Sequence, residues 1–191
     1  SDDGDLTAWW PGPAMAGCMP EKIGESLARE MEAFYDQGMF ANGLCAIQTD
    51  QLHTLEEGIQ CLGQCLTLFP GSPKYMERAM ENARGLHYVT GYNEKGLRHV
   101  LSGYYSGTRI AREAPWDYSA SDSFHVFHPT YMLVRYNGSP EARRLVLETA
   151  DSMLEHYYDG RLHVLVNVTT DEDQVHERTR EWPLFYAAWN R

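Results

Sequence analysis

The chain has 191 residues, a length that suits one domain, and 43% of them are hydrophobic, which is enough for a packed core. Its formal net charge of -11 argues against nucleic acid and anionic membrane surfaces as partners, because binding phosphate groups needs clustered Lys and Arg. The 5 Trp and 12 Tyr predict large aromatic side chains in a core or in a carbohydrate-binding cleft.

Two kinds of apolar segment are not apparent in the sequence: a membrane-spanning helix and a secretory signal segment. No apolar run approaches the roughly 20 residues that cross a bilayer, and no charged-then-apolar segment opens the chain. We expect a single domain over residues 1–191, with an irregular N-terminal segment over 1–20. The chain begins without Met and stops inside an apolar pattern, so we expect a processed chain or an excerpt. Glycosylation sequons at Asn137 and Asn167 are compatible with a secreted or periplasmic protein.

Apolar side chains recur at helical spacing in five segments. The predicted helices cover about Glu21–Gln37, Thr54–Phe69, Tyr75–Gly91, Ser123–Tyr136 and Pro140–Tyr157, and a sixth begins near Glu177. Thr54 and Ser139 are suitable N-caps, and Pro129 has to lie in the first turn of the fourth helix or kink it. Cys61 and Cys65, four residues apart on an apolar helix face, are predicted to be buried free thiols, and a disulfide to Cys18 or Cys45 is the alternative.

The connections between helices are of two kinds. Segment 92–121 is rich in Gly and aromatic residues, so we expect a long loop with a short hairpin over Leu101–Ala111. Segment 161–170 alternates like a strand. By contrast, Gly71-Ser72-Pro73 and Gly138-Ser139-Pro140, 67 residues apart, are tight turns between helices.

This repeat predicts two αα-hairpins, and stacked hairpins form a solenoid or a closed ring. The tight turns lie at one end of the hairpins, so the long loops meet at the other end and form one rim. Residues that carry chemistry gather on such loops, and this rim also holds most of the His, Trp and Arg residues. The three loops are Leu44–His53, Tyr92–Ser121 and Asp159–His176.

The repeated segments GSPKYMERAMENARGLHY and GSPEARRLVLETADSMLEHY, with the loop APWDYSASDSFH, resemble the (α/α) toroids of carbohydrate-active enzymes. That superfamily includes many polysaccharide lyases and the unsaturated glucuronyl and galacturonyl hydrolases. The resemblance covers about residues 50–191. It implies a mainly all-α fold of antiparallel helical hairpins with short β elements in the long loops, and a cleft for an acidic sugar chain. A closed toroid needs more hairpins than this chain contains, so the remainder of the ring is an expected partner.

The first loop places Asp50 and His53 at the start of the second helix. A His beside carboxylates can act as a general base near neutral pH. Helix capping is the alternative role for the same residues. Asp50 and Asp117 are also 67 residues apart, so two loops present an acid at equivalent positions.

The second loop contributes Trp116 and Asp117, followed by His125, His128 and Tyr131 in the fourth helix. A His and Tyr pair suits β-elimination, in which a base takes the proton α to a uronate carboxylate and an acid protonates the leaving oxygen. Two alternatives remain open. The two His with an aspartate form a weak metal-site pattern, and core histidines on an amphipathic helix would look the same.

Further residues are predicted to contact the substrate. The third loop combines cationic groups with an aromatic ring, a set that could hold a carboxylated sugar: His176, Arg178, Arg180 and Trp182. A solvated, self-neutralising charge run is the alternative. Tyr92 and Asn93 in the second loop are candidates as well. Tyr118 lies in the same loop, and a tyrosine can be the proton donor of such a lyase, but spacing does not choose among Tyr92, Tyr104 and Tyr105.

These features favour a polysaccharide lyase that cleaves an acidic, pectin-like or rhamnogalacturonan-like glycan by β-elimination, with no cofactor and no metal. The first alternative is a glycoside hydrolase for unsaturated uronides, with Asp50 and Asp117 as paired carboxylates. The second is a non-catalytic helical-repeat module that binds glycans. We expect neither nucleic acid nor a membrane as a partner.

Overall fold

A computed structural model of the chain describes residues 20–50, 59–120, 126–157, 165–168 and 173–174. The fold is mainly helical, with 58% helix and 14% strand among its confident residues, so helices form the framework and short strands lie in the connections. The predicted irregular segment over 1–20 and the predicted helix near Glu177 lie, apart from Pro20, outside the described residues.

The described part of the chain contains five helices, and each corresponds to a predicted one. They are α1 (Pro20–Asp36), α2 (Gln60–Leu68), α3 (Pro73–Val89), α4 (His128–Asn137) and α5 (Pro140–Tyr157). Pro129 lies in the first turn of α4, as expected. The Ser139 hydroxyl accepts a hydrogen bond from the Ala142 backbone N–H at 3.3 Å, which confirms the predicted cap of α5. The predicted cap Thr54 lies outside the described residues.

Both GSP segments are tight turns between antiparallel helices. Gly71 connects α2 to α3 and Gly138 connects α4 to α5, and both have left-handed backbone angles, with φ of 79° and 68°. Glycine adopts this conformation without a steric penalty, which explains its place in both turns. Helices α2 and α4 pack against each other, so the two hairpins lie side by side.

Two clusters of buried side chains form the core. The first contains side chains of all five helices, and the second joins the end of α3 to α5 and the neighbouring short strands. Cys61 and Cys65 are buried, as predicted, and form no disulfide bond within the described part of the chain. Burial raises the pKa of the Cys65 thiol to about 12, so this thiol stays protonated and unreactive at neutral pH.

A polar contact also ties α1 to α3. The Arg78 guanidinium donates two hydrogen bonds to the Glu32 carboxylate, at 2.8 and 3.1 Å, and lies 3.6 Å from the centre of the Tyr35 ring. The hydrogen bond from Arg78 lowers the pKa of Glu32, against the opposing effect of burial. A bidentate contact that also stacks on an aromatic ring fixes the relative position of the two helices.

The strands are two or three residues long and all their pairings are antiparallel. They are β1 (Phe40–Ala41), β2 (Leu44–Cys45), β3 (Thr49–Asp50), β4 (Thr90–Tyr92), β5 (Arg98–Val100), β6 (Tyr104–Tyr105), β7 (Tyr118–Ala120), β8 (Leu165–Asn167) and β9 (Asp173–Gln174). The pairs are β1 with β2, β3 with β6, β4 with β5, and β8 with both β7 and β9. Strand β8 lies within the segment predicted to be a strand.

The long loop after α3 contains two hairpins. The predicted one is present, since Tyr105 pairs with Ile110 and the Ser106 N–H donates to the Arg109 carbonyl at 2.7 Å. The other, β4–β5, continues directly from α3 and was not predicted. The β4–β5 hairpin begins at the end of α3 that is opposite the Gly71 turn, since β4 follows α3 directly, and β5 contacts β7. Tyr105 of the predicted hairpin packs in the core beside Leu86 and Val89 of the same end of α3.

Candidate functional site

Three aromatic rings pack together in the long loop after α3. The Tyr104 and Trp116 rings are stacked with centres 4.8 Å apart and planes at 28°, and the Tyr118 ring lies 6.5 Å from Trp116 at 36°. All three residues are half-buried. We call these three residues the aromatic platform.

The backbone beneath the aromatic platform holds the rings in place. The Gly103 N–H donates to the Trp116 carbonyl at 2.9 Å, and any side chain at Gly103 would overlap the Tyr118 ring. The Gln48 amide donates to the Tyr104 carbonyl at 3.2 Å, which attaches the platform to the loop before β3. The platform therefore forms within the folded chain and needs no ligand to order it.

A carboxylate lies between two of these rings in sequence. Asp117 is half-buried, and its Oδ2 accepts a hydrogen bond from the Asn167 side-chain amide at 3.0 Å. Its carbonyl accepts a second hydrogen bond, from the Val168 N–H at 3.1 Å. These contacts fix Asp117 beside the aromatic platform.

The backbone of Asp50 also reaches this region. Strand β3 pairs with β6 so that Asp50 lies directly opposite Tyr104. Three predicted site residues, Asp50, Trp116 and Asp117, are therefore brought to one place in the fold. A half-buried apolar surface with polar groups at its edge is the usual composition of a ligand site.

Tyr92 and Asn93 lie elsewhere, on the β4–β5 hairpin. The Tyr92 hydroxyl donates to Glu148 Oε2 of α5 at 2.7 Å and accepts from Arg98 Nη2 at 2.9 Å. Arg98 also donates from Nε to Glu148 Oε2 at 2.9 Å and from Nη1 to the Thr90 hydroxyl at 3.0 Å. We call Tyr92, Arg98 and Glu148 the hairpin clamp, because they join β4–β5 to α5.

The charges of the hairpin clamp are partly shielded from water. Only 7% of the Arg98 side chain is exposed. The hydrogen bond from Tyr92, followed by those from Arg98, lowers the pKa of Glu148 despite some desolvation. Asn93 has a local role, because its Oδ1 accepts from the N–H groups of Lys95 and Leu97 at 3.0 and 2.9 Å. Both predicted contact residues thus have partners within the hairpin and α5.

His128 and Tyr131 lie one turn apart on α4 in different surroundings. The His128 imidazole packs on Gly63 of α2, where any side chain would overlap the ring. Tyr131 is 46% exposed, with the Arg135 guanidinium 6.0 Å from its ring centre.

The remaining predicted site residues lie outside the described residues, and their roles stay predictions. They are His53, His125, His176, Arg178, Arg180 and Trp182. Within the described part of the chain, no group of three or more His, Cys, Asp or Glu side chains could hold a metal ion.

Sequence reasoning placed Tyr104 and Tyr118 in the second loop but did not include either among the predicted substrate contacts. Tyr104 and Tyr105 looked equivalent, but Tyr105 is fully buried in the core whereas Tyr104 is half-buried on the platform. Successive residues of a strand face opposite sides of the sheet. Knowing the pairing partner of β6 would therefore have predicted that Tyr104 and Tyr105 lie in different environments. That partner, β3, lies more than fifty residues away in the chain.

Comparison with known protein families, with curated proteins and with solved structures found no match. Across the described residues, no helix combines the length and the apolar character needed to cross a bilayer. The functional assignment therefore depends on the chemistry of the site.

Proposed function

We propose that the chain binds an acidic glycan on its aromatic platform and cleaves it by β-elimination, as a polysaccharide lyase. The observation that carries this proposal is the cluster of three packed, half-exposed rings with the fixed Asp117 carboxylate beside them. Aromatic rings pack against the apolar faces of sugar rings, while carboxylate and amide groups hydrogen bond to the hydroxyls.

The lyase reaction needs three groups. A base removes the proton from the carbon next to the uronate carboxylate, a double bond forms as the bond to the leaving oxygen breaks, and an acid protonates that oxygen. A cationic or hydrogen-bonding group has to neutralise the carboxylate. We assign the base to His53 or His128, the acid to Tyr131, and the neutralising group to His176, Arg178 or Arg180.

We also propose that the helical hairpins are part of an (α/α) toroid. Two features support this proposal: α2 and α4 pack against each other, and the Gly71 turn lies close to Tyr136, which is next to the Gly138 turn. The remainder of the ring would then be a partner of this chain, and the long loops would line its cleft.

Two observations favour alternatives. Asp50 and Asp117 both lie next to the aromatic platform, which would suit a glycoside hydrolase with paired carboxylates if they flank one glycosidic bond at about 5 to 9.5 Å. The platform also consists of aromatic rings with hydrogen-bonding groups beside them, which would suit a non-catalytic module that binds glycans. These two activities and the lyase differ in their products.

An assay on polygalacturonate separates the three functions. A lyase produces unsaturated ends that absorb ultraviolet light, a hydrolase produces reducing ends without that absorbance, and a binding module produces neither. We expect ultraviolet absorbance to rise, and we expect Tyr131→Phe to slow this rise by about a hundredfold, since a positioned acid contributes about 10²- to 10⁴-fold. New reducing ends without absorbance, or full activity in Tyr131→Phe, would contradict the lyase assignment.

A further inference from the structure

A groove separate from the aromatic platform lies between α3 and the β1–β2 turn. Its volume is about 370 Å3, and its lining residues are Asn42, Glu81, Arg84, Gly85 and Tyr88. Small-ligand sites commonly have volumes of about 300 to 1,000 Å3, so one sugar unit fits this groove. Of these residues, none was among the predicted site residues.

The floor of the groove is rigid because two segments of backbone touch. A side chain at Gly85 of α3 would overlap the Asn42 carbonyl, and one at Gly43 would overlap the backbone of Glu81 and Asn82. The buried Asn82 side chain also donates to the Gly43 carbonyl at 2.9 Å. A groove with such a floor exists before any ligand binds, which lowers the entropic cost of binding.

Two polar side chains form its walls and are held in place from behind. The Tyr88 hydroxyl donates to the Thr108 carbonyl at 3.0 Å, and 48% of this residue is exposed. The Asn42 amide donates to the Gly107 carbonyl at 2.8 Å. Tyr88 thus presents a fixed ring to the groove, and Asn42 presents a fixed amide.

Arg84 supplies a positive charge in a chain whose net charge is -11. It is exposed, and the ion pairs among the described residues involve Lys74, Arg78, Arg98 and Arg144, not Arg84. A guanidinium without an ion-pair partner matches the geometry of a carboxylate with two parallel hydrogen bonds. Glu81 lies one turn earlier on α3. Its carboxylate is suited to accept hydrogen bonds from the hydroxyl groups of a ligand.

We propose that this groove binds one uronate unit, with its carboxylate on Arg84 and its ring against Tyr88. The choice of a sugar as the ligand rests on the proposed function, and the requirement for a carboxylate follows from Arg84. Continuity of the chain supports a common ligand, because the hairpin that begins at Tyr104 of the platform supplies the Gly107 and Thr108 carbonyls at the groove. The groove would then extend the recognition of an acidic glycan beyond the platform.

Titration with monosaccharides tests the groove. We expect galacturonate to bind the wild-type protein at least about tenfold more tightly than galactose, because a hydrogen-bonded charge pair contributes about that factor. Arg84→Gln should reduce galacturonate binding to the level of galactose, and Arg84→Lys should give an intermediate affinity because it keeps the charge and loses the fork. The control Arg143→Gln, an exposed position on α5 with the same charge change, should bind like the wild type.

Equal affinity for the two sugars, or equal affinity in the wild type and Arg84→Gln with unchanged circular dichroism, would overturn the groove proposal. The variant Trp116→Ala separates two outcomes: that the groove does not bind a uronate, and that the platform does not bind a glycan. That variant should bind galacturonate normally and an oligogalacturonide weakly. Loss of monosaccharide binding in Trp116→Ala would also overturn the groove proposal, because the monosaccharide would then occupy the platform.

Discussion

Thr130 and Asn82 form a buried polar pair that connects three parts of the fold. The Thr130 hydroxyl donates to Asn82 Oδ1 at 3.0 Å, and Asn82 donates to the Gly43 carbonyl, so α4, α3 and the β1–β2 turn are joined. Thr130→Val preserves the shape of the side chain but leaves Asn82 Oδ1 buried without its donor. We expect the free energy of unfolding to fall by about 1 to 3 kcal/mol, measured by urea denaturation.

Thr149→Val is the matched control for this prediction. Thr149 is equally buried in α5, but its hydroxyl donates only to the Leu145 carbonyl in the preceding turn, at 2.9 Å. Removing that hydroxyl leaves no side-chain acceptor without a partner, so the loss should be smaller than in Thr130→Val. Equal losses in the two variants would show that the Asn82 pair has no special role.

At the scale of single residues, the sequence identified candidate residues by type but did not show which contacts each of them makes. Trp116 and Asp117 were identified because an aromatic ring beside an acid is a recognisable pattern, and the structure brings both to the platform. Tyr92 was also chosen as an aromatic residue in a long loop, but its partners Arg98 and Glu148 lie in other elements. Roles of that kind depend on tertiary contacts, which no local pattern contains.

At the scale of elements, the helices were predictable and most strands were not. Helices α1 to α5 contain enough residues for an apolar stripe to repeat, and their turns are marked by Gly and Pro. Strands of two or three residues are too short to show alternation. Strand β3 and its partner β6 are also far apart in sequence, so their pairing depends on how the helices pack.

The hairpin clamp makes the stability of the fold depend on pH. The pKa of Glu148 is lowered in the folded state, so its contribution is present above the ordinary glutamate pKa of about 4.3 and is lost as pH falls through the lowered value. Glu148→Gln should cost about 1 to 2 kcal/mol at pH 7, an amount reduced for the partial exposure of Glu148. The difference from the wild type should disappear in acid, as measured by thermal unfolding across this pH range.

Glu155→Gln is the control for the hairpin clamp. Glu155 lies on the same helix and is exposed, so its replacement changes the net charge equally and leaves the clamp intact. We expect it to unfold like the wild type at every pH. A Glu148→Gln variant whose stability stays below the wild type by the same amount at low pH would contradict a role for the charged carboxylate.

At the scale of the whole molecule, the helices form the framework, and the long connections carry the aromatic platform and the β4–β5 hairpin. The GSP turns keep one end of each hairpin short, and the aromatic platform, the hairpin clamp and the groove are all built from the longer connections and the helix faces beside them. This division of roles is common in proteins whose function resides in loops. The repeat in the sequence distinguished the long connections from the tight turns, but it did not identify which side chains of those connections pack together.

The central claim is that the aromatic platform binds an acidic glycan, and calorimetric titration with an oligogalacturonide tests it most directly. We predict that the wild type binds and that Trp116→Ala binds at least about thirtyfold more weakly, since truncating a central Trp commonly costs about 2 kcal/mol. Tyr136→Ala, which removes an exposed ring of α4 outside the platform, should bind like the wild type. No binding by the wild type, or equal binding by Trp116→Ala, would contradict the claim.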